Sequence, residues 1–182
     1  MPDQACTAQQ LLSAGIRTTN SRQLYPTLHQ PADAGLPMLV IENALGKTVV
    51  ALQGAHVMSF QPAGQPEMLW ISPKTLLLDG TPIRGGIPLC LPWFGPGPDG
   101  KTMHGFARIK EWTVVVAERL ANGATRVVMQ LEGDASTSAL WPHAFLFRLE
   151  IEAGTALKMV MHVENRGTDP APLAFAFHTY FS

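Results

Sequence analysis

A chain of 182 residues is about one domain long, and at that size burial of apolar surface is enough for stability without a disulfide framework or a structural metal. With 46% hydrophobic and 15% charged residues, 13 basic against 14 acidic, the formal net charge is -1. This excludes a generally basic nucleic-acid binder and leaves room only for a local anion site.

The chain begins with a helix candidate, Thr7 to Ile16, in which Leu11 and Leu12 sit among helix-tolerant residues and Gly15 stops the pattern. Residues 1–37 are read as an N-terminal appendage and 38–182 as the N-terminal part of a β-sandwich domain. From Met38 the pattern turns to β, with runs at Met38–Ile41, Thr48–Leu52, Val57–Phe60, Thr113–Ala117 and Arg126–Leu131 bounded by Gly, Pro or Asn. Between Ser72 and Gly105 the regularity stops in a Pro/Gly-rich segment, and a loop of that length in a compact domain is usually functional. Phe145, Phe147, Leu149 and Ile151 then alternate with Leu146, Arg148, Glu150 and Glu152. After a turn at Ala153-Gly154-Thr155 the period repeats at Leu157, Met159, Met161 and Val163, so an antiparallel hairpin is predicted. The fold class is all-β, a sandwich.

Cys6 and Cys90 are the only cysteines and cannot supply a four-thiolate metal site. Residues 1–20 lack a basic start followed by an apolar run, and no stretch approaches the ~20 apolar residues of a membrane span. A reduced, soluble, cytoplasmic protein is expected, without nucleic acid or membrane as partner.

Gly95-Pro96-Gly97-Pro98-Asp99-Gly100 matches the letters of a dinucleotide fingerprint, but two prolines remove N–H donors and no strand-to-helix context surrounds it, so a surface turn is expected. No G-x-S-x-G and no H-E-x-x-H occurs. Histidines stand at 29, 56, 104, 143, 162 and 178, and neither strand nor helix spacing gathers them at a metal. On the final strand candidate, Leu173, Phe175 and Phe177 share one face, while Ala174, Ala176 and His178 share the other. Small side chains beside an imidazole describe a cleft floor, and a locally satisfied core histidine is the rival reading. Arg84 precedes a Gly pair that lets backbone approach a ligand closely, and His104-Gly105-Phe106-Ala107-Arg108 closes the irregular loop.

Taken in order, Arg84-Gly85-Gly86-Ile87-Pro88, Pro92-Trp93-Phe94-Gly95, His104 to Arg108 with Trp112, Trp141-Pro142-His143-Ala144-Phe145 and His178-Thr179-Tyr180-Phe181 closely resemble the glucose-6-phosphate 1-epimerases, or hexose-6-phosphate mutarotases. Asn43-Ala44-Leu45-Gly46, Gln53-Gly54-Ala55-His56 and Leu69-Trp70-Ile71-Ser72-Pro73 are further matches, so the resemblance runs from near Leu39 to the last residue. It implies a galactose-mutarotase-like β-supersandwich, incomplete at the C-terminus, with the sugar on a concave sheet face and no cofactor or metal. By the same resemblance His178 corresponds to the catalytic general acid, His104 to the second active-site histidine, and Arg84 and Arg108 to the pair that holds the substrate phosphate.

The chemistry suits these residue types. Mutarotation needs a base for the anomeric hydroxyl proton and an acid for the ring oxygen, and an imidazole of ordinary pKa, about 6.5, exchanges protons near neutrality. Guanidiniums offer paired donors to a phosphate dianion. Two departures from the family pattern stand out. Met103 occupies the place of a Gln that reaches the substrate in some members. The family's general base is a Glu far downstream of the His-Thr-Tyr-Phe block, and the sequence stops at Ser182, so no glutamate here is assigned to that role and the chain alone is expected to be inactive. The expected partner is a small-molecule hexose phosphate. The oligomeric state stays open, with a monomer favoured, and a non-catalytic sugar-phosphate-binding module and a His-ligated, cupin-like metal protein are the alternatives.

Overall fold

The hairpin expected around Ala153-Gly154-Thr155 forms one half of a four-stranded antiparallel sheet in the computed structural model, which describes residues 4–32 and 35–182. Strands β1 (Ile16–Asn20), β2 (Pro37–Asn43), β3 (Gly46–Ala51) and β4 (His56–Pro62) make the first sheet in that order. A two-residue strand, β5 (Leu89–Cys90), follows. Strands β6 (Thr113–Arg119), β7 (Thr125–Glu132), β8 (Phe145–Ala153) and β9 (Leu157–Asn165) make the second sheet, and β10 (Ala176–Phe177) pairs with β5. All these pairings are antiparallel, as short strands joined by Gly- and Asn-containing turns require.

The alternation in β8 is what packs the two sheets together. Phe145, Phe147, Leu149 and Ile151 are buried in one core cluster with Leu39, Ile41, Val50 and Val57 of the first sheet. Truncating a fully buried ring such as that of Phe147 would cost about 3–5 kcal/mol through lost transfer energy and the cavity left behind. Asn43 joins the sheets at one end: its side-chain oxygen accepts from Leu45 N–H at 2.9 Å, and its amide donates to the Ala153 carbonyl at 3.0 Å. On its other face the first sheet is covered by part of the irregular segment, with Leu77 and Ile83 packed on Met38, Ala51 and Met58. The long loop is thereby fixed to the sheet that carries it.

Three local readings change. The predicted helix is shorter, α1 (Ala8–Ser13), closed by a capping box between Thr7 and Gln10 and ending before Gly15 at φ 76°. Directly after it β1 pairs with β2 over its whole length, so residues 16–20 belong to the first sheet. Of the N-terminal segment 1–37, residues 1–3 and 33–34 lie outside the described residues. Two further short helices, α2 (Ser21–Leu24) and α3 (Ala135–Ser138), occupy connections, each started by an Asx cap, Asn20 and Asp134 respectively.

The strand expected over 173–178 is assigned only at Ala176–Phe177, although bonds from Ala174 N–H to Pro92, from His178 N–H to Pro88 and from Tyr180 N–H to Gly86 keep the whole segment extended. Leu173 and Phe175 are 44% and 38% exposed, so the apolar face is packed only at Phe177. Among the described residues no helix is long and apolar enough to cross a membrane.

Candidate active site

The extended course of residues 174–180 decides where His178 points. Side chains alternate, so His178 and Tyr180 line one cavity of about 470 Å³ while Phe177, Thr179 and Phe181 line a separate apolar groove behind it. Arg84, His104 and Arg108 line the same cavity as His178, together with Trp70 and Cys90. All four sequence-derived site residues therefore meet in one place, although Arg84 and His104 come from the irregular segment, Arg108 from the short 3₁₀ turn after it and His178 from the extended C-terminal segment.

His178 is flanked by aromatic rings, Tyr180 at 4.9 Å between centroids and 25° between planes, and Phe94 at 6.4 Å and 16°. Those neighbours restrict the tilt of the imidazole while its edge faces the cavity. His104 adopts φ 61°, a left-handed conformation uncommon for a residue with a side chain and costly enough to require support. Support comes from Gly95, whose carbonyl accepts from His104 N–H at 2.7 Å and whose N–H donates to His104 Nδ1 at 3.1 Å. Since Nδ1 accepts, the proton of the neutral ring is on Nε2. Burial, then the charges of Arg108 and of the neighbouring His178, hold the pKa of His104 below the ordinary imidazole value.

The two arginines differ. Arg84 is exposed, and among the described residues its guanidinium has no hydrogen-bond or ion-pair partner. Arg108 is half-buried on a short 3₁₀ turn (Ala107–Ile109), with Nη2 donating to the Met103 carbonyl at 2.6 Å and a buried Nε without a partner. Burial lowers its pKa from the usual arginine value. Met103, where some family members carry Gln, is 43% exposed and uses its backbone carbonyl to orient Arg108.

The Gly85-Gly86 pair packs against protein backbone. A Cβ on Gly85 would stand 2.4 Å from the Trp70 carbonyl oxygen, and one on Gly86 at φ 61° would stand 2.4 Å from that of Val57. The glycines are needed because protein backbone packs against them. Tyr180 and Trp70, with ring centroids 6.0 Å apart, are cavity-wall residues that the sequence reading did not single out. The sequence offers them only inside the motif blocks that contain them, and their place on the cavity wall is a tertiary feature. No carboxylate lines the cavity among the described residues. Glu67, for example, spends both oxygens on Ser59, Phe60 and Leu69. His29, His143 and His162 lie elsewhere, and no three metal-ligating side chains come together among the described residues.

With this geometry in place, comparison with known proteins is informative: the aldose 1-epimerase family profile matches residues 37–182. The chain belongs to the aldose 1-epimerase family. It is 36% identical over 163 residues to an Escherichia coli (strain K12) protein named "Putative glucose-6-phosphate 1-epimerase", covering 88% of this chain and 53% of that protein. The crystal structure of a "putative mutarotase (YeaD)" from Salmonella typhimurium superimposes with a TM-score of 0.68 at 33% identity, over 71% of this chain and 44% of that one. A galactose mutarotase-like protein from Clostridium acetobutylicum shares the fold, with a TM-score of 0.69 at 16% identity over 91% of this chain and 53% of its own. This aldose 1-epimerase family chain thus spans about half the length of the relatives it matches.

Proposed function

We propose that this chain carries the acid side and the phosphate site of an enzyme that interconverts the α and β anomers of an aldohexose 6-phosphate. The observation that carries the reading is the convergence of two imidazoles and two guanidiniums on one cavity of about 470 Å³. In the step proposed, a base removes the anomeric hydroxyl proton as His178 delivers a proton to the ring oxygen. The C1–O5 bond breaks, the C1 aldehyde forms, and rotation about C1–C2 followed by the reverse transfers closes the ring on either face. Every atom and proton is returned, so the reaction needs no redox partner.

His104, with its proton on Nε2, donates to a sugar oxygen and stays neutral beside Arg108. Arg84 and Arg108 take the phosphate dianion, Arg84 with all its donors free among the described residues and Arg108 with its fork pre-set by the Met103 carbonyl. The isolated chain is read as inactive, because the described cavity wall supplies acids but no carboxylate base. That same observation favours a second reading, a non-catalytic sugar-phosphate-binding module. The cytoplasmic assignment rests on two unpaired cysteines, one of them buried. Exchange NMR of glucose 6-phosphate with the product of the full reading frame separates enzyme from module. Cross-peaks between anomers faster than the uncatalysed exchange, lost in His178→Asn, are expected; binding without accelerated exchange would establish the module.

A further inference from the structure

Two polar side chains are buried in one tight turn of the first sheet, beside the core residues Ala55 and Val57. Gln53 is 2% exposed and His56 is 0% exposed, and between them Gly54 and Ala55 adopt φ 77° and 44°. Gln53 uses both ends of its amide on the irregular loop: Nε2 donates to the Thr81 carbonyl at 2.9 Å, and Oε1 accepts from Gly80 N–H at 2.8 Å. His56 Nε2 donates to the Gly85 carbonyl at 2.8 Å, one residue beyond Arg84. On the other side of the same turn, Gly54 N–H donates to the Lys110 carbonyl at 2.7 Å. A Cβ on Gly54 would stand 2.7 Å from the Arg108 carbonyl oxygen, so the turn lies directly on the backbone of Arg108.

One turn therefore grips both segments that carry the cavity arginines. Arg84 has no side-chain partner among the described residues, so its position is inherited from its backbone. That backbone is fixed by Thr75 Oγ1, which accepts from Arg84 N–H at 2.8 Å, and by His56 one peptide further on. A flexible polar side chain could make the bond to Gly85, but a rigid ring holds it with less entropy lost.

We infer that Gln53 and His56 are positioning residues whose turn sets the placement of Arg84 relative to Arg108 and so the selection of a phosphate ester over the free sugar. This rests on the phosphate reading above. The ring suits that place because it stays neutral beside the Arg108 cation: burial first, with Arg108 adding to it against the upward pull of the Gly85 carbonyl, pushes its pKa down to about 4. A misplacement of a fraction of an ångström in such a supporting layer loosens the groups it holds without unfolding the scaffold.

The test is chemical-shift titration of the 182-residue chain with glucose 6-phosphate and, separately, with glucose. His56→Leu and Gln53→Met are expected to weaken the ester by roughly tenfold and to leave glucose within about twofold, while His56→Gln, which places an amide N–H near Nε2, recovers most of the loss. A merely stabilising turn would lower the unfolding temperature without changing the ester-to-sugar ratio. Folded His56→Leu and Gln53→Met with the parent ratio, alongside Arg84→Ala and Arg108→Ala that lose it, would overturn the positioning role and leave the phosphate reading intact. Equal affinity of the parent for ester and sugar would overturn both. Should His56→Leu not fold, Gln53→Met and His56→Gln decide the matter by the same ratio.

Discussion

His104 and His178 hold their imidazole rings 6.1 Å apart, inclined at 61°, with Phe94 in contact range of both. One ring comes from a strained loop residue and the other from an extended C-terminal segment, so neither sets the distance by itself. The spacing depends on Gly95, which holds His104, and on the Pro88 carbonyl, which holds the His178 backbone at 3.0 Å.

His178→Asn in the product of the full reading frame is expected to keep the fold and lose about 10²–10⁴-fold in anomer exchange, the usual contribution of a positioned acid. The ring is partly exposed at the cavity rather than enclosed in the core, so thermal unfolding should shift little. Exchange NMR with a melting curve on the same sample checks this. A variant that melts early yet exchanges anomers at the parent rate would remove His178 from the mechanism.

The two arginines should separate by stability. Both Arg84→Ala and Arg108→Ala are expected to weaken glucose 6-phosphate binding by about 1.5–3 kcal/mol each, as for lost hydrogen bonds to a charged group, with glucose little affected. Only Arg108→Ala should also lower the melting temperature, by a few degrees, because it loses the bond to the Met103 carbonyl. Calorimetric titration and thermal unfolding report the two effects independently. Parent affinity for the ester in both variants would exclude the phosphate assignment.

Stability should fall in mild acid because of His56. Its folded-state pKa is about 4 against an ordinary 6.5, so between these values the unfolded chain binds a proton that the folded chain refuses. The contribution is complete above pH 6.5 and is lost as pH falls through 4, amounting to about 3 kcal/mol over that window. Urea unfolding from pH 7 to pH 4 should show this slope in the parent and a shallower one in His56→Gln. Parallel curves would mean that His56 is not the titrating group.

The chain by itself should associate at high concentration. Among the described residues β9 pairs only with β8, so its other edge offers free backbone groups. Phe181 is 74% exposed beside a groove that also includes Met68, Met159 and Phe177. Sedimentation velocity should show concentration-dependent species that Phe181→Ser combined with Met68→Lys, both exposed at the groove, reduces. A parent that sediments as a monomer at every concentration tested would count against this.

Most of the architecture could be read from local pattern. The period of two in Phe145–Ile151 and Leu157–Val163 survives as β8 and β9 because each side chain's face is fixed by backbone geometry, independent of what it meets. His178 does lie opposite Phe177, for the same reason, but Ala174 and Ala176, expected beside it on a cleft floor, do not line the cavity, and only Ala176–Phe177 pair as a strand. What composition and period missed was β1, since Arg17, Thr18 and Thr19 carry little apolar signal and the strand exists through its ladder to Val40, Leu39 and Met38.

The identities of Arg84, His104, Arg108 and His178 were legible from the order of the motifs that contain them. Their meeting was not. It is decided by long-range backbone bonds, such as Tyr180 N–H to Gly86 and His178 N–H to Pro88, and by the buried turn that links Gly85 to the Arg108 backbone. Sequence sets each residue's chemistry and the face of its own strand, whereas distances between residues far apart in the chain arise only when hydrogen bonds and core packing close the loops between them.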